Sequence, residues 1–150
     1  MNISFTVQGD SEGFVTFECP FCGSEFKLQA GEYQNKNEPL EDLFCPYCGL
    51  TREKKAFLSK DVIAQIQALA KNYMIDELNK EFKKMSESLN TSHSIIKMEY
   101  KPLEKVGTKE LRDKDTTETE FKCNHCSHRV KVLYCAGASK IFCPYCGVDI

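Results

Sequence analysis

The chain has 150 residues, 41% hydrophobic and 28% charged, with 20 basic and 22 acidic side chains and a net charge of -2. These are ordinary globular values, which exclude wholesale disorder, collagen-like repeats and a polyanion binder acting through its whole surface. The longest uninterrupted apolar run, Val132–Ala136, is five residues, far short of the roughly 20 that span a bilayer, so neither a transmembrane helix nor a membrane partner is expected.

The first residues, Met1-Asn2-Ile3-Ser4-Phe5, carry neither a basic leader nor an apolar core, which predicts a cytoplasmic protein. Ile3–Val7 and Phe14–Glu18 alternate with period two around the turn-rich stretch 8–13, as two strands of a hairpin do. Cys19-Pro-Phe-Cys22-Gly follows, then an alternating Glu25–Gln29, and a polar loop leads to Cys45-Pro-Tyr-Cys48-Gly. From Lys60 to Leu89 there is no Gly or Pro and Ser59 stands at the start, which predicts one capped helix about 45 Å long. Its apolar residues change face. Ile63, Ile66, Leu69, Ala70, Tyr73 and Met74 cluster between roughly -20° and 120° around the axis, whereas Ile75, Leu78, Phe82, Met85 and Leu89 lie between roughly 140° and 220°. The second set repeats at coiled-coil spacing, so Leu78, Phe82, Met85 and Leu89 are the candidate partner-binding residues. That seam serves a packed strand at 95–100, a protein partner or a homodimer. Residues 101–120 bring Pro102, Gly107 and many charges, the composition of a linker. Cys123-Asn-His-Cys126-Ser, an alternating Arg129–Tyr134 and Cys143-Pro-Tyr-Cys146-Gly complete the chain.

Nine cysteines thus form four CxxC pairs with Cys135 left over. An odd count without a leader argues against a disulfide framework and for metal. Separations of 22 residues between Cys22 and Cys45 and 16 between Cys126 and Cys143 suit two four-thiolate sites, with Cys19, Cys22, Cys45 and Cys48 on one and Cys123, Cys126, Cys143 and Cys146 on the other. Two zinc ions are the expected cofactors. Cys135 reads as a small buried hydrophobe at a strand end.

The halves repeat. Phe17–Cys22 aligns with Phe121–Cys126, and Phe44-Cys-Pro-Tyr-Cys-Gly49 is identical to Phe142-Cys-Pro-Tyr-Cys-Gly147, so one small module is used twice. Each half resembles a CPxCG-type zinc ribbon. That resemblance implies an α+β chain with two small β zinc ribbons separated by one long helix. The boundaries read as an N-terminal ribbon at 1–52, a helical segment with a short strand at 53–100, a polar linker at 101–120 and a C-terminal ribbon at 121–150. Each ribbon is expected to unfold with its own ligands. The run 112–129 is similar to the approach to the last knuckle in transcription elongation factor S-type ribbons, although the adjacent Asp-Glu pair of that family is missing. The run 39–49 is similar to the approach to a rubredoxin iron site.

Charge divides unevenly: residues 1–52 hold 3 basic and 8 acidic side chains, whereas 121–150 hold 4 and 1. Lys122, Arg129, Lys131 and Lys140 are therefore the candidate nucleic-acid contacts, Tyr145 a candidate base-stacking ring, and Arg129 and Lys131 are expected on opposite faces of their strand. Closed four-thiolate sets leave no position for a reactive water, and His93, His125 and His128 assemble no nucleophile with an orienting group. No catalytic residue and no enzymatic activity is expected. A zinc-binding adaptor or regulatory protein that binds protein is the leading reading, with DNA or RNA binding through the C-terminal ribbon as the alternative.

Overall fold

A computed structural model describes residues 6–35, 40–90, 95, 97–133 and 140–150. The strands are β1 (Phe14–Glu18), β2 (Glu25–Gln29), β3 (Asp42–Phe44), β4 (Thr51–Glu53), β5 (Glu118–Lys122) and β6 (Arg129–Leu133). A one-turn helix α1 (Ala30–Tyr33) follows β2, a 3-10 turn occupies Lys54–Phe57, and α2 runs from Lys60 to Leu89. The chain is mixed α+β, with one long helix between two cysteine clusters. Contacts divide it into two compact units, Thr6–Ile63 with Glu110–Ile150, and Ala64–Lys109.

The first unit joins hairpins of both ribbons in one antiparallel sheet in the order β1-β2-β6-β5, and β3 pairs with β4 in a second, two-stranded sheet. β1 pairs with β2 from Phe14↔Gln29 to Glu18↔Glu25, and β5 pairs with β6 from Glu118↔Leu133 to Lys122↔Arg129. The two hairpins join where Lys27 pairs with Lys131 and Leu28 with Val130. This junction makes β2 and β6 inner strands, and their burial follows. Phe26 and Leu28, with Val130 and Val132, enter one core with Phe17, Leu43, Phe57 and Ile141, since alternate residues share a strand face. Phe57 meets the Phe26 ring edge-on at 6.0 Å, and Phe17 lies 4.8 Å from Tyr33. One apolar core therefore draws on both ribbons. The exposed side of β1 is closed by the stretch after 110, where the Thr16 N–H donates to an Asp113 carboxylate oxygen at 2.8 Å and Gln8 bridges Arg112.

In the second unit α2 continues from Ala64. Ser59 caps the helix as expected: its carbonyl accepts from Ile63 N–H at 3.0 Å and its hydroxyl from Val62 N–H. Exposed ion pairs such as Lys80–Glu77 and Lys84–Glu81, both 2.7 Å, occupy the outer face. Two expectations change. Residues 97–100 form no strand; Met98 instead lies against the helix end through Asn90 and Ser86. Residues 118–120, read as linker, begin β5. Ile3–Phe5 of the first predicted strand, Ile96, His93, Tyr134 and Cys135 lie outside the described residues, and Thr6 and Val7 of that stretch form no strand.

Candidate metal centres

Four knuckles are built alike. In each, the residue after the second cysteine donates its N–H to the carbonyl of the first: Gly23 to Cys19, Gly49 to Cys45, Ser127 to Cys123 and Gly147 to Cys143, at 2.8 to 2.9 Å. A second bond returns from the first cysteine's N–H to the carbonyl one residue further on, as from Cys45 to Leu50 at 2.9 Å. The turn needs a positive φ at the residue that follows the second cysteine, and it is 70°, 70° and 71° at the three glycines. Ser127 takes the fourth such position with φ 64°. The tight turn aims amides at sulfur: Phe21 N–H lies 3.4 Å from Cys19 Sγ and Tyr47 N–H 3.4 Å from Cys45 Sγ.

Knuckles pair across the hairpins. Cys19, Cys22, Cys45 and Cys48 bring their sulfurs within 4.8 Å of one another, and so do Cys123, Cys126, Cys143 and Cys146. All eight are free thiols. The separations test the fit: four sulfurs around an ion with bonds of about 2.3 Å stand about 3.8 Å apart. Cys19–Cys48 is 3.8 Å, Cys22–Cys45 is 3.7 Å, Cys123–Cys146 is 3.7 Å and Cys126–Cys143 is 3.4 Å. Both groups are tandem four-cysteine, zinc-ribbon-like sites that can hold a metal ion.

Burial grades the thiols. It pushes Cys45 and Cys143 well above the ordinary thiol range, more than their backbone hydrogen bonds lower them. Cys22 is opposed by burial too, but hydrogen bonds from Ser24 and neighbouring sulfurs bring it down to about 7. Cys123 also falls to about 7, where the amides of Cys126 and His125 outweigh burial. Burial raises Cys19 and Cys126 as well, the latter to about 11, so a cation displaces protons from these four thiols as it binds.

The identical hexapeptides interlock. Phe44 N–H donates to Pro144 O and Phe142 N–H to Pro46 O, each at 2.9 Å. The Phe44 ring closes on Gly147 and the Phe142 ring on Gly49, where an added Cβ would stand 2.9 Å and 3.1 Å from ring carbons. This is the reciprocal geometry of a two-fold interface, formed within one chain.

The same pairing decides the fate of the basic residues. Lys27 and Lys131 face each other across β2 and β6, and both reach Asp10 Oδ2, at 3.2 Å and 3.4 Å. Lys131 also pairs with Glu12, and Arg129 Nε pairs with Glu32 at 2.9 Å. Asp10 is desolvated, which would raise its pKa, yet amides of Phe14 and Glu12 and the charges of Lys27 and Lys131 hold its carboxyl below 3.8. The charge opposition read from the sequence is thus satisfied internally. The assignment of Arg129 and Lys131 to opposite faces is overturned: residues two apart share a strand face, and both cations lie over the Phe14 ring, at 5.8 Å and 4.3 Å. Tyr145 is not an open stacking surface either, because His128 stacks on it at 4.1 Å and 16°. Lys122 is exposed, and Lys140 is exposed beside Asp149 at 3.5 Å.

On α2, Leu78, Met85 and Leu89 are exposed, and Phe82 is half-buried 6.4 Å from Tyr100. Sequence reasoning missed Asp10, Lys27 and Glu32, which tie the ribbons together. A buried aspartate in a turn carries no signature until its lysines are placed. Among the described residues no helix is long and apolar enough to cross a membrane. No protein-family model matches the chain, and no curated protein and no solved structure is significantly similar to it.

Proposed function

We propose that the chain is a non-enzymatic adaptor whose two four-cysteine sites bind zinc and whose long helix binds protein. The observation that supports it most is the exposure of Tyr73, Met74, Leu78, Met85 and Leu89 on a unit, Ala64–Lys109, in which no described apolar side chain is buried. A helix with no buried apolar stripe gains little from folding in water, and a partner supplies the missing burial. The zinc assignment rests on four sulfurs at tetrahedral spacing, a closed set with no place for a reactive water. Free thiols in such number suit a reducing compartment, the cytoplasm. Nucleic-acid binding has weaker support, because Arg129 and Lys131 are already ion-paired.

The reading is tested by purifying the protein from its native host and measuring its mass by light scattering. A species heavier than the 17.1 kDa chain, lost in Leu78→Asp/Met85→Asp while both metals stay bound, supports it. A bare monomer in both cases refutes it.

A further inference from the structure

The residues 98–109 lie along α2 in an arrangement that side chains of the segment do little to explain. Asn72 Oδ1 accepts from Val106 N–H at 2.7 Å while Asn72 Nδ2 donates to Val106 O at 2.8 Å. Asn79 does the same for Leu103, at 2.8 Å and 3.0 Å. Gln65 Oε1 accepts from Lys109 N–H at 3.0 Å. At the other end Asn90 takes both main-chain groups of Met98 at 2.8 Å, and Ser86 Oγ donates to Met98 O at 3.0 Å.

The spacing is regular. Gln65, Asn72, Asn79 and Ser86 stand seven apart on the helix, and their partners Lys109, Val106 and Leu103 stand three apart on the segment. Seven helical residues rise about 10.5 Å, and three residues of an extended chain with three residues per turn rise about 9.3 Å. The two periods match closely enough for one amide side chain per turn of the segment to meet one main-chain N–H. Pro102, which has no N–H, falls between reading positions, and so does Gly107. Every side chain from Lys101 to Glu110 is exposed. Besides the main-chain bonds, the segment touches the helix through the exposed ion pair Lys105–Asp76, at 2.8 Å, and through Tyr100 beside Phe82. An exposed pair of that kind contributes little, because solvent screens it.

We propose that this face of α2 is a reader of extended main chain: it holds a three-residue-per-turn polypeptide chiefly through backbone groups. Residues 98–109 are its resident ligand, and an extended segment of a partner protein, free of proline at every third position, is its exchangeable one. The proposal rests on the protein-binding reading of α2 and names a second face, since Gln65, Asn72 and Asn79 lie to one side of the apolar row that carries Leu78 and Met85. Recognition of this kind selects conformation rather than sequence.

Two measurements on the full-length, metal-loaded chain test it. Amide exchange comes first. In wild type the N–H groups of Leu103, Val106 and Lys109 are protected, and those of Glu104, Lys105 and Thr108 exchange freely. Asn72→Leu/Asn79→Leu accelerates exchange at Leu103 and Val106 by about tenfold or more, because the bonds that protect these amides are lost. If the double variant loses its helix, Asn72→Ala/Asn79→Ala replaces it, because alanine removes both amide contacts and favours the helix. Unchanged protection in a folded variant overturns the clasp.

Exchange for an outside chain comes second. Leu103→Pro/Val106→Pro opens the resident segment, and a synthetic peptide of residues 97–110 then binds it. Wild type binds the peptide about tenfold more weakly or less, because the tethered segment competes at an effective concentration near millimolar. A shuffled peptide without proline at the reading positions binds the opened variant within about threefold of the native one, as backbone recognition requires. Three results overturn the proposal: no peptide binding by the opened variant, binding of the native sequence only, or a doubled mass showing that a second copy fills the face. Failure of Leu78→Asp/Met85→Asp to affect partner capture would count against the adaptor reading and leave these peptide measurements intact.

Discussion

The amide of Phe44 donates to the carbonyl of Pro144 at 2.9 Å, and the Phe44 ring lies on Gly147. The mirror bond from Phe142 to Pro46 makes each second knuckle part of the other's support. Metal at either site therefore stabilises a core that both ribbons share. Cys146→Ser should unfold the first unit as one body, with β1 and β2 amides losing protection together with β5 and β6. Hydrogen exchange on the zinc-loaded variant checks this. An N-terminal ribbon that keeps wild-type protection would refute the coupling.

Asp10 should be the costliest single polar residue of the sheet. Asp10→Asn leaves Lys27 and Lys131 buried side by side with only Glu12 and Glu118 nearby, and losing one partner of a buried ion pair costs about 3 kcal/mol. The sign with pH follows from the lowered pKa. Asp10 stabilises the fold above its ordinary value of 3.8 and loses that contribution as pH falls through its lower native value. The gap in denaturation midpoint between wild type and Asp10→Asn should be constant above about pH 5 and shrink below it. A gap that widens in acid would contradict this.

Much of this fold was legible because local chemistry set it. The helix Lys60–Leu89, the strands β1 and β2, and both cysteine sets follow from capping, alternation and spacing that a few neighbouring residues determine. The pairing of β2 with β6 was not legible, because it depends on a contact across 100 residues between strands whose buried lysines read as surface charges. Those lysines misled the search for a phosphate site for the same reason: Lys131 alternates properly with Val130 and Val132, and only the register shows that its face meets Asp10. The amide ladder on α2 was not read from the sequence, because polar residues on a helix carry no direction until the chain that they hold is known.

Ser127 holds a positive φ of 64° where the other three knuckles have glycine. A side chain there costs roughly 1 kcal/mol in backbone strain. Ser127→Gly should raise stability by about that amount, or a few degrees in Tm for a unit of this size. Conversely, Gly147→Ala combines the same strain with a Cβ 2.9 Å from the Phe44 ring, and a loss of about 2 kcal/mol or more is expected. Thermal denaturation of the metal-loaded proteins measures both, and a destabilised Ser127→Gly would contradict the strain argument.

Each four-cysteine site should take one zinc and release protons as it does so, because the bound ligands are thiolates. Burial keeps Cys45 and Cys143 protonated in the metal-free chain, so affinity should fall steadily as pH drops from 8 to 6. Elemental analysis should give two zinc ions per chain, and calorimetry in buffers of different ionisation enthalpy should show proton release. One metal per chain, or the visible absorption of iron-thiolate centres, would overturn the zinc assignment.

Nucleic-acid binding, if present, should act through Lys122 and Lys140 rather than through Arg129 and Lys131. Among the described residues Lys122 is exposed with no ion pair, and Lys140 is 78% exposed and pairs with Asp149. Lys131 is sequestered with Asp10 and Glu12, and Arg129 is engaged by Glu32. Reversing the engaged residues should therefore damage the fold before it tests binding. Lys131→Glu sets a carboxylate against Asp10 and should lower the denaturation midpoint, whereas Lys122→Glu/Lys140→Glu should leave it unchanged. Any affinity for DNA or RNA should fall with rising salt and drop in the double variant, since each lost phosphate contact lowers the salt slope by about one. Affinity that persists in Lys122→Glu/Lys140→Glu and disappears in a folded Lys131→Glu would show that the Asp10 pairing opens to admit phosphate.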